Sequence, residues 1–256
     1  MRRLILVLAV MGTTILLAGG VALAVTRVGG PGSDVLRGTA GTDRLDGRGG
    51  GDTIFGLGGN DNFPNGGVLV GGLGNDTIFG GSGNDDIFGG MDFSKPDAHP
   101  ETGDNIIHGG TGRDRIGGDN GDDVIFGDDG NDLVGTFVGK DVIYGGAGKD
   151  RMFGGGGEDK LFGGVGNDDV NGEPGADVVY GGDGADLVSD GENRGGARDI
   201  LYGGDGNDIL FPRNEPAAED LNFCGGGRDT IFADRADFIA DDCERVRFRN
   251  PRPGEL

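Results

Sequence analysis

From Gly29 onward the chain repeats itself every nine residues. The segments Gly71–Phe79 (GGLGNDTIF), Gly80–Phe88 (GGSGNDDIF) and Gly203–Phe211 (GGDGNDILF) show the pattern G-G-x-G-x-D-x-U-x, with U apolar. Nineteen units start at residues 29, 38, 47, 56, 71, 80, 100, 109, 118, 127, 136, 145, 154, 163, 172, 181, 194, 203 and 224. Position six is Asp in 18 of them and Asn105 in the other. Position four is Gly in all but one, which has Ala197, and position eight is apolar throughout. A period this short and strict restricts the chain to stacked, equivalent pieces, each touching only its neighbours.

The unit divides into two halves. The x-U-x triplet is a short strand whose central side chain points inward. The G-G-x-G-x-D half is a tight turn, where glycine admits backbone conformations closed to other residues. Glycine makes up 61 of 256 residues without a period of three, which excludes collagen. Hydrophobic residues are 34% of the chain, too few for a conventional enzyme core, and position eight supplies one inward side chain per unit. Burying such a side chain contributes roughly 1.5–3 kcal/mol. Ordering nine residues costs roughly 1–2 kcal/mol each in backbone entropy. Apolar packing therefore does not fold this chain unaided, and aspartates stacked in phase deepen the deficit.

These units resemble the RTX (hemolysin-type) calcium-binding nonapeptide repeats, over residues 29–232. The resemblance implies an all-β fold, a parallel β-roll (a right-handed β-solenoid) with two repeats per coil turn and several Ca²⁺ ions between successive turns. The residues it implies as metal ligands are the position-six aspartates: Asp34, Asp43, Asp52, Asp61, Asp76, Asp85, Asp114, Asp123, Asp132, Asp141, Asp150, Asp159, Asp168, Asp177, Asp186, Asp199, Asp208 and Asp229. Calcium is a hard cation that takes 6–8 oxygens. Carboxylates 18 residues apart, such as Asp114/Asp132/Asp150 and Asp123/Asp141/Asp159, line up along two edges, and metal binding becomes folding free energy. The competing use of the same residues is Asx turns alone. Asn105 puts the calcium site of its unit in question.

Residues 1–24 read as a secretory signal: Arg2 and Arg3, an apolar run from Leu4 to Val25, and Ala22-Leu23-Ala24 as cleavage site. The alternative is an uncleaved membrane anchor. Cleavage removes two Arg and no acid, taking the net charge from −22 to −24 and leaving no membrane span. Such a chain repels phosphate backbones, which excludes nucleic acid as partner. The expected location is extracellular or at the cell surface. Residues 25–28 form a short lead, and 29–211 the array, with insertions at 65–70, 89–99 and 190–193. Residues 212–256 hold a last repeat (224–232), a C-terminal cap and a basic, disordered tail. Met91–Pro100 reads as a solvated loop, with a partner site as the alternative. In an exported protein Cys224 and Cys243 pair as a disulfide stapling the cap; two cysteines with distant His99 and His108 lack the spacing of a zinc site.

Position nine should point out of the roll. With units assigned alternately, one sheet carries Arg37, Phe55, Phe79, His108, Phe126, Tyr144, Phe162, Tyr180, Tyr202 and Phe232. The other carries Asp46, Pro64, Phe88, Gly117, Gly135, Phe153, Asn171, Ser189 and Phe211. Strands about 4.8 Å apart would stack the first set into a ladder. Its structural use is to hold coils together; its alternative use is an adhesive face for an extracellular polymer, lipid or another roll. The function that follows is a calcium-binding structural or interaction module, not an enzyme. The alternatives are a cell-surface adhesin or envelope component using the aromatic face, and a secreted hydrolase. The last has neither H-E-x-x-H nor G-x-S-x-G to support it.

Overall fold

The computed structural model describes residues 23–90, 102–191, 197–212 and 219–248. The signal and most of the 89–99 insertion lie outside them. Apart from one 3-10 turn at Phe63–Asn65, the regular structure is strand. Every strand pairing is parallel. Apart from a two-stranded pair, Val138–Gly139 with Gly156–Gly157, the strands alternate between a 12-stranded sheet, from Thr26–Val28 to Arg245–Phe248, and an 11-stranded sheet, from Val35–Arg37 to Phe238–Ile239. The chain thus winds as a β-solenoid of about 11 turns, with the register advancing 18 residues per coil: Ile125 pairs with Ile143, and Val134 with Met152. This is the β-roll that two repeats per coil require.

Each strand triplet buries its middle residue. Leu45, Ile54, Ile78, Ile107, Ile125, Ile143, Leu161 and Leu201 are fully buried and belong to one core between the sheets. Their branched and γ-branched shapes suit a flat pleated interior. Turns running from the 11- to the 12-stranded sheet form one long edge of the roll, here edge I. Turns running the other way form edge II.

Insertions change the step but not the register. Arg44 pairs with Val68, a step of 24, and the extra residues fall between Asp61 and Val68. The inward residue of that coil is therefore Leu69, not Phe63, and the insertion lies before the strand Val68–Leu73 rather than at 65–70. Phe63 instead caps a satellite cluster of Val68, Val70 and Phe88 on the outer face. Val70 takes the outward place expected for Pro64.

The ends also differ from expectation. The lead 25–28 is already structured: Thr26–Val28 is a strand of the 12-stranded sheet, and Val25 packs on the core. Within 212–223 a further unit is concealed. Ile200 pairs with Leu221, Asn222 points inward and is buried, and Phe223 stacks on Tyr202. That extra half-coil moves Phe232 to the 12-stranded sheet, where it stacks on Phe211 rather than joining the Tyr202 ladder. The winding continues past residue 232 through Phe238–Ile239 and Arg245–Phe248, so the first residues of the expected tail are a strand. Cys224 and Cys243 are joined by a disulfide.

The outer ladder on the 11-stranded sheet runs Phe55, Phe79, His108, Phe126, Tyr144, Phe162, Tyr180, Tyr202, Phe223. Successive rings lie 4.4–5.2 Å apart and within 11° of parallel. Arg37 closes its N-terminal end, 4.3 Å over Phe55.

Candidate metal centre

The position-six aspartates are carried into the roll by their turns and buried there; Asp114, Asp123 and Asp141 have no exposed surface. Each Oδ1 accepts the backbone N–H of the equivalent residue one coil earlier. On edge I, Asp114 N–H bonds to Asp132, Asp132 to Asp150, Asp150 to Asp168 and Asp168 to Asp186, all at 2.8 Å. On edge II, Asp123 bonds to Asp141, Asp141 to Asp159 and Asp159 to Asp177, at 2.8–2.9 Å. Asn105 takes a place in the edge II file, its Oδ1 accepting from Asp76. The file ends on Glu244 in edge I, which accepts from Asp229.

The second carboxylate oxygen distinguishes the turns. For thirteen aspartates (Asp52, Asp61, Asp85, Asp114, Asp132, Asp141, Asp150, Asp159, Asp168, Asp177, Asp186, Asp208 and Asp229), Oδ2 is buried and has no hydrogen-bond donor among the described residues. It faces more oxygen. A Cβ on Gly109 would lie 2.6 Å from the Gly127 carbonyl and 2.8 Å from Asp114 Oδ2, and Gly154 is enclosed in the same way by Gly172 and Asp159. Glycine at position one is what lets these oxygens converge.

A buried carboxylate without a donor resists ionisation. Burial pushes Asp177 up to about 8, Asp61, Asp114, Asp132 and Asp159 up to about 7, and Asp85, Asp150, Asp186 and Asp208 up to about 6. Neighbouring aspartates of the same file push in the same direction, while the backbone N–H from the preceding coil offsets part of the rise. The ion pairs Lys140–Glu158, Arg151–Asp169 and Arg198–Glu219 lie on the outer surface. Rows of orphaned carboxylate oxygens beside backbone carbonyls, spaced at coil intervals, fit a hard divalent cation that takes oxygen ligands alone.

Two sets of residues escaped the sequence reading. One is position five. All eight Asn or Asp there (Asn60, Asn75, Asn84, Asp104, Asp122, Asn131, Asn167, Asn207) accept the backbone N–H of position five one coil later, at 2.7–3.1 Å. These side chains form a second, solvent-side ladder, and the recurring Asn-Asp and Asp-Asp dipeptides were its signal. The other set is Asp190 and Asp220, which lie with Asp199 in a buried group of three carboxylates within 4.8 Å of one another. Asp220 belongs to the glycine-free concealed unit, so the repeat pattern did not mark it.

The model of the RTX calcium-binding nonapeptide repeat matches residues 28–63, 66–93, 101–134, 138–161, 162–189 and 195–212. The chain belongs to this family. No curated protein matches the chain. The RTX β-roll is a structural calcium-binding domain, and the glycine–aspartate turns described above are its calcium-binding repeats. No helix of the described residues is long and apolar enough to cross a membrane.

Proposed function

We propose that this RTX protein is exported, folds as its turns take up calcium, and then acts outside the cell as a rigid structural or interaction module without enzymatic activity. The observation that carries the reading is the row of thirteen buried Asp Oδ2 atoms without a donor. Calcium supplies positive charge and accepts the 6–8 oxygens that these turns offer. The aspartates set out above would hold it, together with the converging glycine carbonyls. An extracellular medium provides the ion; a low-calcium interior would leave the carboxylates repelling one another.

Export fits the N-terminal end of the roll. The first strand begins at Thr26, just past the expected cleavage point, and Val25 N–H already donates to Asp43 Oδ1 at 2.7 Å. Cleavage after Ala24 would make this nitrogen a charged ammonium facing a carboxylate. The stacked rings favour the structural use of the ladder over the adhesin alternative: interior rings spend both faces on each other, leaving edges for a sugar or lipid to meet. Circular dichroism during a calcium titration of the purified protein, with magnesium as control, tests the reading. A coil-to-β transition specific to calcium is expected. Equal β content and heat resistance in excess EGTA would refute it.

A further inference from the structure

Most turns of this roll take one of two backbone forms, and the form, not the presence of aspartate, decides what the carboxylate does. In the released form the position-two residue is left-handed, as in Gly110 (φ 104), Gly146 (φ 108) and even Asp128 (φ 70). Its N–H then turns away from its own aspartate; Gly72, for example, donates to the Gly89 carbonyl of the next coil at 2.8 Å. Twelve of the thirteen aspartates with an orphaned Oδ2 sit in a turn of this form, Asp141 being the exception. In the latched form position two is not left-handed, and its N–H donates to the Oδ2 of its own aspartate. Gly30 latches Asp34 (2.7 Å), Thr39 latches Asp43 (2.5 Å) and Asp119 latches Asp123 (3.1 Å).

The first two latched turns start their files, with no turn stacked before them. Asp123 lies in the interior, and both its neighbours on edge II are also altered. One coil earlier, Asn105 Nδ2 donates to the Gly103 carbonyl (3.1 Å) and to Asp119 Oδ1 (3.4 Å), so hydrogens stand where the other turns present a carboxylate oxygen. One coil later, Phe137 is not left-handed, and its N–H goes to Asp119 O. The Thr136 hydroxyl stands in for that N–H by donating to the Gly154 carbonyl, while Asp141 keeps a buried Oδ2 without a donor. On edge I the turns are released without interruption from Asp61 to Asp229.

We propose that calcium loads this roll unevenly: the turns of Asn105 and Asp123 form an ion-free gap on edge II, tied instead by Asn105 and Asp119, opposite an unbroken ion file on edge I. The inference rests on the calcium reading above. A carboxylate lone pair engaged by an N–H points at a hydrogen, and loading that turn requires breaking the bond and forcing Asp119 into the left-handed region. The latches replace the metal with internal donors, so these coils are held together whatever the calcium concentration.

The experiment is calcium stoichiometry by equilibrium dialysis, with ion positions from anomalous scattering of terbium in the loaded full-length protein. Asp123→Asn should leave the number of ions unchanged, whereas Asp132→Asn on edge I should lower it by one. Asp119→Gly, which restores a G-G-x-G-x-D turn, should raise it by one. A terbium peak beside Asp123 in the unaltered protein would overturn the gap, as would equal losses from Asp123→Asn and Asp132→Asn. If Asp119→Gly does not fold, the terbium map and the Asn pair still decide. Folding with no calcium bound at all would remove the calcium reading itself, and the gap with it.

Discussion

The two long edges of the roll come from one nonapeptide, yet they differ along their length. Edge I repeats a single arrangement through nine turns from Asp61 to Asp229: left-handed position two, orphaned Oδ2, carbonyl beside it. Edge II holds that arrangement at Asp52, loses it at Asn105 and Asp123, keeps the orphaned Oδ2 without the left-handed position two at Asp141, and regains it whole at Asp159 and Asp177. Aspartate is present at Asp123 all the same. The difference teaches that the carboxylate supplies a potential ligand, while the residue four places earlier decides whether its second oxygen is available. A peptide N–H is a fixed partner; a cation is an exchangeable one.

Protons, unlike calcium, should not distinguish the edges, and they give the largest expected effect. Burial raises Asp132 on edge I and Asp123 on edge II alike to about 7, and Asp177 to about 8, against an ordinary value of 3.8. The metal-free fold therefore holds protons that the unfolded chain releases. That contribution to stability is fully present below pH 3.8 and is lost as pH rises through 6 to 8. In EGTA, β content should grow as pH falls from 8 toward 5, followed by circular dichroism. A steady loss of structure over that range would show that the burial of these carboxylates has been misread. With calcium present, the titration midpoint should move to higher calcium as pH falls, since both ligands compete for the same oxygens.

Replacing carboxylates in runs separates the edges directly. A site at ten times its Kd adds ~1.4 kcal/mol. Changing Asp132, Asp150 and Asp168 together to Asn should remove about 4 kcal/mol of calcium-dependent stability, a large share of the ~5–15 kcal/mol of a typical fold. Changing Asp123 to Asn should remove little of that dependence. Thermal melts across a calcium series measure both. Comparable slopes for the two variants would erase the distinction between the edges.

Much of this was legible in the repeat. Inward position eight, outward position nine and the two aspartate files follow from a period of nine with two units per coil. What was lost had local causes. Phe63 and Leu69 are both apolar, so nothing in the sequence told which one the core would take once six residues had been inserted. The half-coil around Asp220 has no glycine, and its inward residue is the polar Asn222, yet its strand is kept by pairing to Ile200–Gly206. Missing it reversed the parity of everything after it and sent Phe232 to the wrong sheet. The latch was invisible for another reason. The conformation of position two depends on the turn stacked beside it, as Gly30 shows: a glycine free to be left-handed, it latches Asp34 all the same.

Edge I also ends differently from how it runs. Its last turn, 239–244, contains no glycine, and the disulfide from Cys224 to Cys243 ties it to the preceding turn, while Asp242 accepts the N–H groups of Cys224 and Gly225. A covalent link closing a loop of this length contributes about 3 kcal/mol. The double change Cys224→Ser, Cys243→Ser should lower stability by about that amount at saturating calcium while leaving the calcium midpoint of the central coils in place, read by hydrogen exchange. Loss of protection throughout the roll would instead make the C-terminal end the site from which the whole array is ordered.

The smallest effect belongs to edge II and has the most specific signature. Thr136→Val keeps the side chain's shape but removes the hydroxyl that donates to the Gly154 carbonyl. Leaving a buried acceptor without its donor costs roughly 1–3 kcal/mol. On edge I the cost of a lost carboxylate depends on how much calcium is bound, and shrinks as calcium is withdrawn. The cost at Thr136 should stay constant, because the bond it breaks lies between two parts of the protein. Urea denaturation at several calcium concentrations, each still sufficient for folding, should give a fixed offset between Thr136→Val and the unaltered chain. An offset that grows with calcium would mean that the hydroxyl serves an ion rather than the Gly154 carbonyl alone.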